Sequence, residues 1–148
     1  MSCDDELVLL SFCSRPSRLK LLRCVIRDAA DMAGLDATAT DAVVLAVNEA
    51  CMNIIQHGYD MDPNGRIDVR VSSEPGALVF QLRDYARCVD VEKVCSRDLD
   101  DVRPGGLGMH LIGSLMDECG FLQPPAGGGN LFQMKKLDID ILHKAYDG

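Results

Sequence analysis

Glu49, Asn53 and His57 recur at intervals of four in residues 41–58, DAVVLAVNEACMNIIQHG, an otherwise apolar stretch. On a helix that spacing puts the three side chains on one face. A carboxylate, an amide and an imidazole in register can hold a metal ion and poise a base. A second group is glycine-rich: Gly105, Gly106, Leu107, Gly108 and Met109 lead into an amphipathic segment. A glycine loop feeding a helix N-terminus is an anion site, because free backbone amides and the positive end of the helix dipole converge there. No Lys follows these glycines as in a P-loop, and no strand immediately precedes them as in a dinucleotide fold.

These residues need a frame. Val43, Val47, Ala50, Cys51, Ile54 and Ile55 form the apolar stripe of the 41–58 helix, and the polar row runs along its edge, where it faces a cleft. Thr38, three residues before Asp41, makes a capping-box-like start, and Gly58 is expected as a left-handed cap. Upstream, residues 6–12 read as a strand, and Pro16 opens a first helix that runs to about Ala33 and stops at Gly34. Its buried stripe is Leu19, Leu22, Ile26, Ala29 and Ala33. Lys20, Arg23 and Arg27 line one flank, either as a docking surface for an acidic partner or as a solvated, paired flank.

Downstream, residues 66–71 and 78–83 alternate strictly between apolar and polar, and Glu74-Pro75-Gly76 turns one into the other, so they predict an antiparallel hairpin with Asp84 at its end. Residues 85–104 show no period and are dense in charge, which reads as a lid. The helix after the glycines turns Leu107, Leu111, Leu115 and Met116 inward. Two last strands, 119–123 and 131–136, flank a Gly/Pro loop at 124–129, and the tail 138–146 has weak helical character. The fold class expected is α+β, a two-layer sandwich of a mostly antiparallel sheet with helices on one face.

At 148 residues the chain predicts one domain, 1–148. A net charge of -8 argues against direct nucleic-acid binding, which needs clustered Lys and Arg. The seven Cys are odd in number and contain no CxxC pair, so reduced thiols in a cytoplasm fit better than disulfides or zinc. No apolar run of about 18 residues suggests a membrane span, and the acidic N-terminus lacks the basic start of a signal peptide.

Taken in order, the motifs resemble those of the anti-sigma factor serine-protein kinases, stand-alone members of the GHKL (histidine-kinase-like) ATPase superfamily. Glu49-xxx-Asn53-xxx-His57-Gly58 is similar to the family's N-box. Asp84 at a strand end is similar to its adenine-binding aspartate, residues 103–109, RPGGLGM, to its second glycine box, and Gly128-Gly129-Asn130 to the start of its last ATP-contacting strand. The resemblance covers nearly the whole chain, from the first helix to Lys136.

It implies a GHKL fold, ATP and Mg²⁺ as cofactors, and phosphoryl transfer to a serine or threonine of a small anti-sigma antagonist, with a sigma factor as the competing partner. It further implies a homodimer. Glu49 would be the catalytic base and Asn53 the Mg²⁺ ligand. Nucleotide contacts would come from Asn53, His57, Asp84, Ala86, Gly105, Gly106, Leu107, Gly108, Met109 and Asn130. One departure stands out: the family's first glycine box reads Asp-x-Gly-x-Gly, and here Ala86 follows Asp84-Tyr85. An added methyl there bears on ATP binding and on lid movement. It favours the alternative reading, a binding module that sequesters a sigma factor or other regulator without catalysis.

Overall fold

Ile67, Val69 and Val71 lose all solvent exposure while Arg66, Asp68 and Arg70 between them keep theirs at least in part, so the alternation read in the sequence is a sheet with one dry face. In the computed structural model, residues 5–87 and 104–137 are described. Most of the expected lid, 88–103, and the expected tail helix lie outside the described residues. The strands are β1 (Glu6–Cys13), β2 (Arg66–Glu74), β3 (Ala77–Asp84), β4 (Glu118–Leu122) and β5 (Asn130–Leu137). They form one antiparallel sheet in the order β1-β2-β3-β5-β4.

Among the described residues three helices cover the dry face: α1 (Leu19–Ala33), α2 (Ala37–Asn53) and α3 (Pro104–Leu115). The core they share with the sheet includes Leu22, Ile26, Val43, Val47 and Ile112 from the helices and Val69, Phe80, Leu82 and Met134 from the strands. Each such side chain, fully buried, contributes about 1.5–3 kcal/mol of transfer free energy. This is the α+β two-layer sandwich expected from the sequence. Cys13, Cys24, Cys51 and Cys119, the described cysteines, are free thiols.

Local signals explain the helix ends. A 3-10 turn at Pro16–Arg18 leads into α1, and Gly34 closes it at φ 93°, its N–H donating to the Ala30 and Asp31 carbonyls. The start of α2 corrects the sequence reading: Asp36, not Thr38, is the cap, its carboxylate accepting from the Ala39 N–H at 2.8 Å. Asp36 is as good a cap as Thr and stands two residues after the α1 stop at Gly34, so the helix begins earlier.

The end of α2 is also corrected. The helix widens into a π turn, Ile54–Gly58, in which the Tyr59 N–H reaches back five residues to the Ile54 carbonyl at 2.9 Å. Gly58 is not left-handed; Asp60 (φ 51°) and Met61 (φ 64°) make the reversal instead. The expectation on membrane spans needs a correction too. The 22 residues Ala37–Gly58 are long and apolar enough by length and composition, because a core helix of a sandwich passes the same test. Its inner face lies on the sheet.

The basic flank of α1 is a seam between helices. Arg23 Nη1 donates to Asn48 Oδ1 and Arg27 Nη1 to Asp41 Oδ1, both at 2.9 Å and both exposed. Exposed pairs of this kind stabilise by about 0.2–1 kcal/mol. They spend on α2 two of the three charges that a docking surface would have offered.

Candidate functional site

β3 and β5 pair so that Asp84, the last residue of one, stands opposite Asn130, the first of the other. Asp84 is only 4% exposed, and its Oδ1 accepts from Asn130 Nδ2 at 2.9 Å and from the Ala86 N–H at 3.0 Å. Asn130 Nδ2 also donates to the Arg87 carbonyl at 3.0 Å, so one amide holds both the carboxylate and the chain that leaves it. Burial pushes the Asp84 carboxyl above its usual range, against the opposing pull of Asn130, the Ala86 N–H and the Arg83 charge. A raised carboxyl favours the fold at low pH and loses that contribution as pH rises, so ionised Asp84 is a cost at neutrality. A donor on a bound ligand would offset it.

Ala86 sits against the π turn. A Cβ built on Gly58 would lie 3.4 Å from the Ala86 Cβ, so the methyl fills room that Gly58 leaves open. Among the described non-glycine residues only Asp60 and Met61 have positive φ. Ala86 therefore needs no glycine-like backbone, and the steric objection raised by its methyl does not arise from its own conformation.

Asn53 closes α2, half-buried, with Glu49 one turn before it and also half-buried. Across from Asn53 is Gly108 of α3: a Cβ there would lie 2.9 Å from both amide atoms of Asn53. The missing side chain is what lets the two motifs meet. Asn53 Nδ2 is buried without a hydrogen-bond partner, a condition that costs about 1–3 kcal/mol. The amide's O and N are interchangeable by a flip, so either a donor or an acceptor is available to a ligand at this spot.

His57 differs from expectation in its backbone: it is exposed and lies in the π turn beyond α2, while Glu49 and Asn53 keep their four-residue spacing within α2. Gly105, Gly106 and Leu107 also differ from expectation: they lie in the first turn of α3, which begins at Pro104, and do not form a loop ahead of it. Met109 follows, half-buried and packed on the core. Lys135 and Lys136 are taken up structurally, the first by Glu74 at 3.0 Å and the second by the Leu115 carbonyl at 2.8 Å.

One residue escaped the sequence reading. Tyr59 donates its hydroxyl to the Arg66 carbonyl at 2.6 Å and accepts from the N–H groups of Arg66 at 3.3 Å and Tyr85 at 2.8 Å. Its partners are backbone groups 7 and 26 residues away, and no side-chain pattern announces those. A shallow depression beside Glu118, Phe121 and Gln133 shares no residue with this constellation.

The Gly108 contact makes a direct test. Gly108→Ala adds a helix-favouring residue worth about 1 kcal/mol, while its methyl must push the Asn53 amide aside. The amide is the end of a side chain and can move. The melting temperature is expected to stay within a few degrees of wild type, and Mg-ATP affinity, by titration calorimetry, to fall about tenfold. Unchanged affinity would show that Asn53 is not at the site.

Comparisons with known proteins cover the same stretch of chain. The model of the histidine kinase-like ATPase domain matches residues 12–136. Serine-protein kinase RsbW of Bacillus subtilis (strain 168) is 27% identical over 126 residues, covering 80% of this chain and 79% of that protein. RsbW of Listeria monocytogenes serotype 4b (strain F2365) is 26% identical over 126 residues, 80% of each. The structure of the RsbU and RsbW domains of Rv1364c from Mycobacterium tuberculosis superposes with a TM-score of 0.63 at 17% identity, over 88% of this chain and 32% of that one. The histidine kinase domain of Erythrobacter litoralis EL346 gives 0.53 at 16%, over 89% and 64%. This chain thus spans about a third of the first structure and under two thirds of the second, and at these identities the likeness is one of fold.

Proposed function

The chain belongs to the histidine kinase-like ATPase domain family, with its similarity to the anti-sigma factor serine kinases of that family, and on that premise we propose that it is an ATP-dependent serine/threonine protein kinase of partner-switching type. Its substrate is a small anti-sigma antagonist, and a sigma factor is the competing partner. It acts in the cytoplasm as a homodimer. The observation that carries the reading is the unpartnered Asn53 amide under Gly108, where the carboxamide motif meets the glycine motif.

Mg-ATP, when bound, supplies the phosphoryl group. Asp84, buried and acceptor-only when ionised, takes a hydrogen bond from the adenine amine. Asn53 offers its amide oxygen to Mg²⁺, which prefers hard oxygen ligands and few of them from protein. That fits a site in which, among the described residues, no three His, Cys, Asp or Glu cluster. The backbone around Gly105, Gly106, Leu107, Gly108 and Met109 faces the phosphates through the first turn of α3, at the positive end of its dipole. Glu49, one turn from Asn53, takes the proton of the attacking hydroxyl.

A ligand that binds only the folded state stabilises it by about 2.7 kcal/mol at a hundredfold excess over its dissociation constant. Saturating Mg-ATP is therefore expected to raise the melting temperature by roughly 5–10 °C. Asn53→Ala is expected to lose the magnesium-dependent part of that shift. A melting curve indifferent to millimolar Mg-ATP would defeat the nucleotide reading.

A further inference from the structure

The segment that leaves Asp84 is held at three successive residues. Asp84 is gripped by Asn130, the Tyr85 N–H donates to the Tyr59 hydroxyl, and the Ala86 N–H returns to Asp84. The side chain of Tyr85 is fixed as well, its hydroxyl on Asp68 Oδ2 at 2.7 Å and its ring 4.9 Å from the Arg83 guanidinium carbon. Of these restraints only the Tyr59 hydroxyl connects the segment to the end of the helix that carries Glu49 and Asn53.

A phenol hydroxyl can donate once and accept twice. Tyr59 uses that whole capacity on backbone, binding the entry of β2 through Arg66 and the exit of β3 through Tyr85. Its own N–H closes the π turn on Ile54. The ring has no freedom to swing, because Gly65 lies flat against it: a Cβ on Gly65 would come within 2.6 Å of three ring atoms. Burial pushes the Tyr59 hydroxyl above the usual phenol range, against the two backbone hydrogen bonds, so it keeps its proton to donate.

We propose that Tyr59 is a positioning residue, clamped by Gly65, that fixes the peptide after Asp84 and so sets the direction of the Asp84 carboxylate toward the base of the nucleotide. The proposal rests on the nucleotide reading given above and adds a residue to its base-recognising end. It separates two halves of the site: Tyr59 governs the base end through Asp84, while Asn53 and the start of α3 govern the phosphate end without it.

Tyr59→Phe keeps the ring and removes the hydroxyl, and Gly65→Ala keeps the hydroxyl and displaces the ring. Each is measured well below its own melting temperature, with ATP and with inorganic tripolyphosphate, both with magnesium. Both variants are expected to bind ATP about tenfold more weakly and tripolyphosphate within twofold of wild type. The Tyr85 amide should exchange its hydrogen faster in each. Parallel loss of both ligands, or loss of neither, overturns the positioning role and leaves Tyr59 as a structural tie. A wild-type protein that binds neither ligand overturns the nucleotide reading with it, and Tyr85 exchange then still reports whether the tie exists.

Discussion

Glu49→Gln is expected to lower phosphoryl transfer to the antagonist by about 100- to 10,000-fold, the usual span for removing a general base. Nucleotide affinity should stay within a few-fold. Glutamine preserves the size and hydrogen-bonding shape of the side chain but takes no proton at neutral pH. Glu49 is half-buried one helical turn from Asn53 and is not itself assigned to hold the nucleotide. Transfer of label from γ-labelled ATP, alongside equilibrium binding of the unlabelled nucleotide, reads the two effects independently. A variant that phosphorylates at the wild-type rate takes the role of base away from Glu49.

The second large effect falls on stability. Gly129 stands at φ 83°, and a Cβ there would collide with the Asp84 carbonyl oxygen and lie 3.0 Å from the Tyr85 Cα. Left-handed backbone alone costs an alanine about 1–2 kcal/mol. The neighbours in this case are backbone atoms at the end of β3, which have no flexible tip to move away. Gly129→Ala is expected to cost about 3 kcal/mol or more, roughly 10 °C in melting temperature. Gly128→Ala is the control, since Gly128 has φ 78° but no atom within 4 Å of the added carbon, so it pays for backbone conformation only. Calorimetry giving equal losses for the two would mean that the approach to Asp84 contributes nothing.

Much of this frame could be read in the chain. Ile67, Val69 and Val71 against Leu78, Phe80 and Leu82 carry the period-two pattern of a half-buried hairpin, and Gly34 marks the end of α1 where local backbone preference decides the matter. Resemblance pointed to Asp84 and Asn130, and the β3–β5 register brings them into contact. What escaped was decided at a distance. The π turn that carries His57 leads into the reversal at Asp60 and Met61 toward β2, and four-residue spacing is blind to that. The effect of Ala86 depends on Gly58, 28 positions earlier, and Tyr59 works through backbone groups whose partners no side-chain pattern names. The flank of Arg23 and Arg27 read either as a docking surface or as a paired, solvated flank, and spacing within α1 left that open because the acceptors, Asn48 and Asp41, are on another helix.

The sheet order has a consequence for synthesis. β1 is an edge strand whose hydrogen-bonded neighbour among the described strands is β2, which begins only at Arg66. At about 5 to 20 residues per second on the ribosome, that neighbour emerges roughly 3 to 10 s after β1 does. Helices α1 and α2 follow β1 directly and can pair with each other during the wait, since their contacts are local. Val8, Leu10 and Phe12, which end up packed against the core, meanwhile have no sheet to join. Of the described strands β1 is thus made well before its neighbour, and the nascent chain carries an unpaired, apolar β-segment for seconds before β2 can take it up.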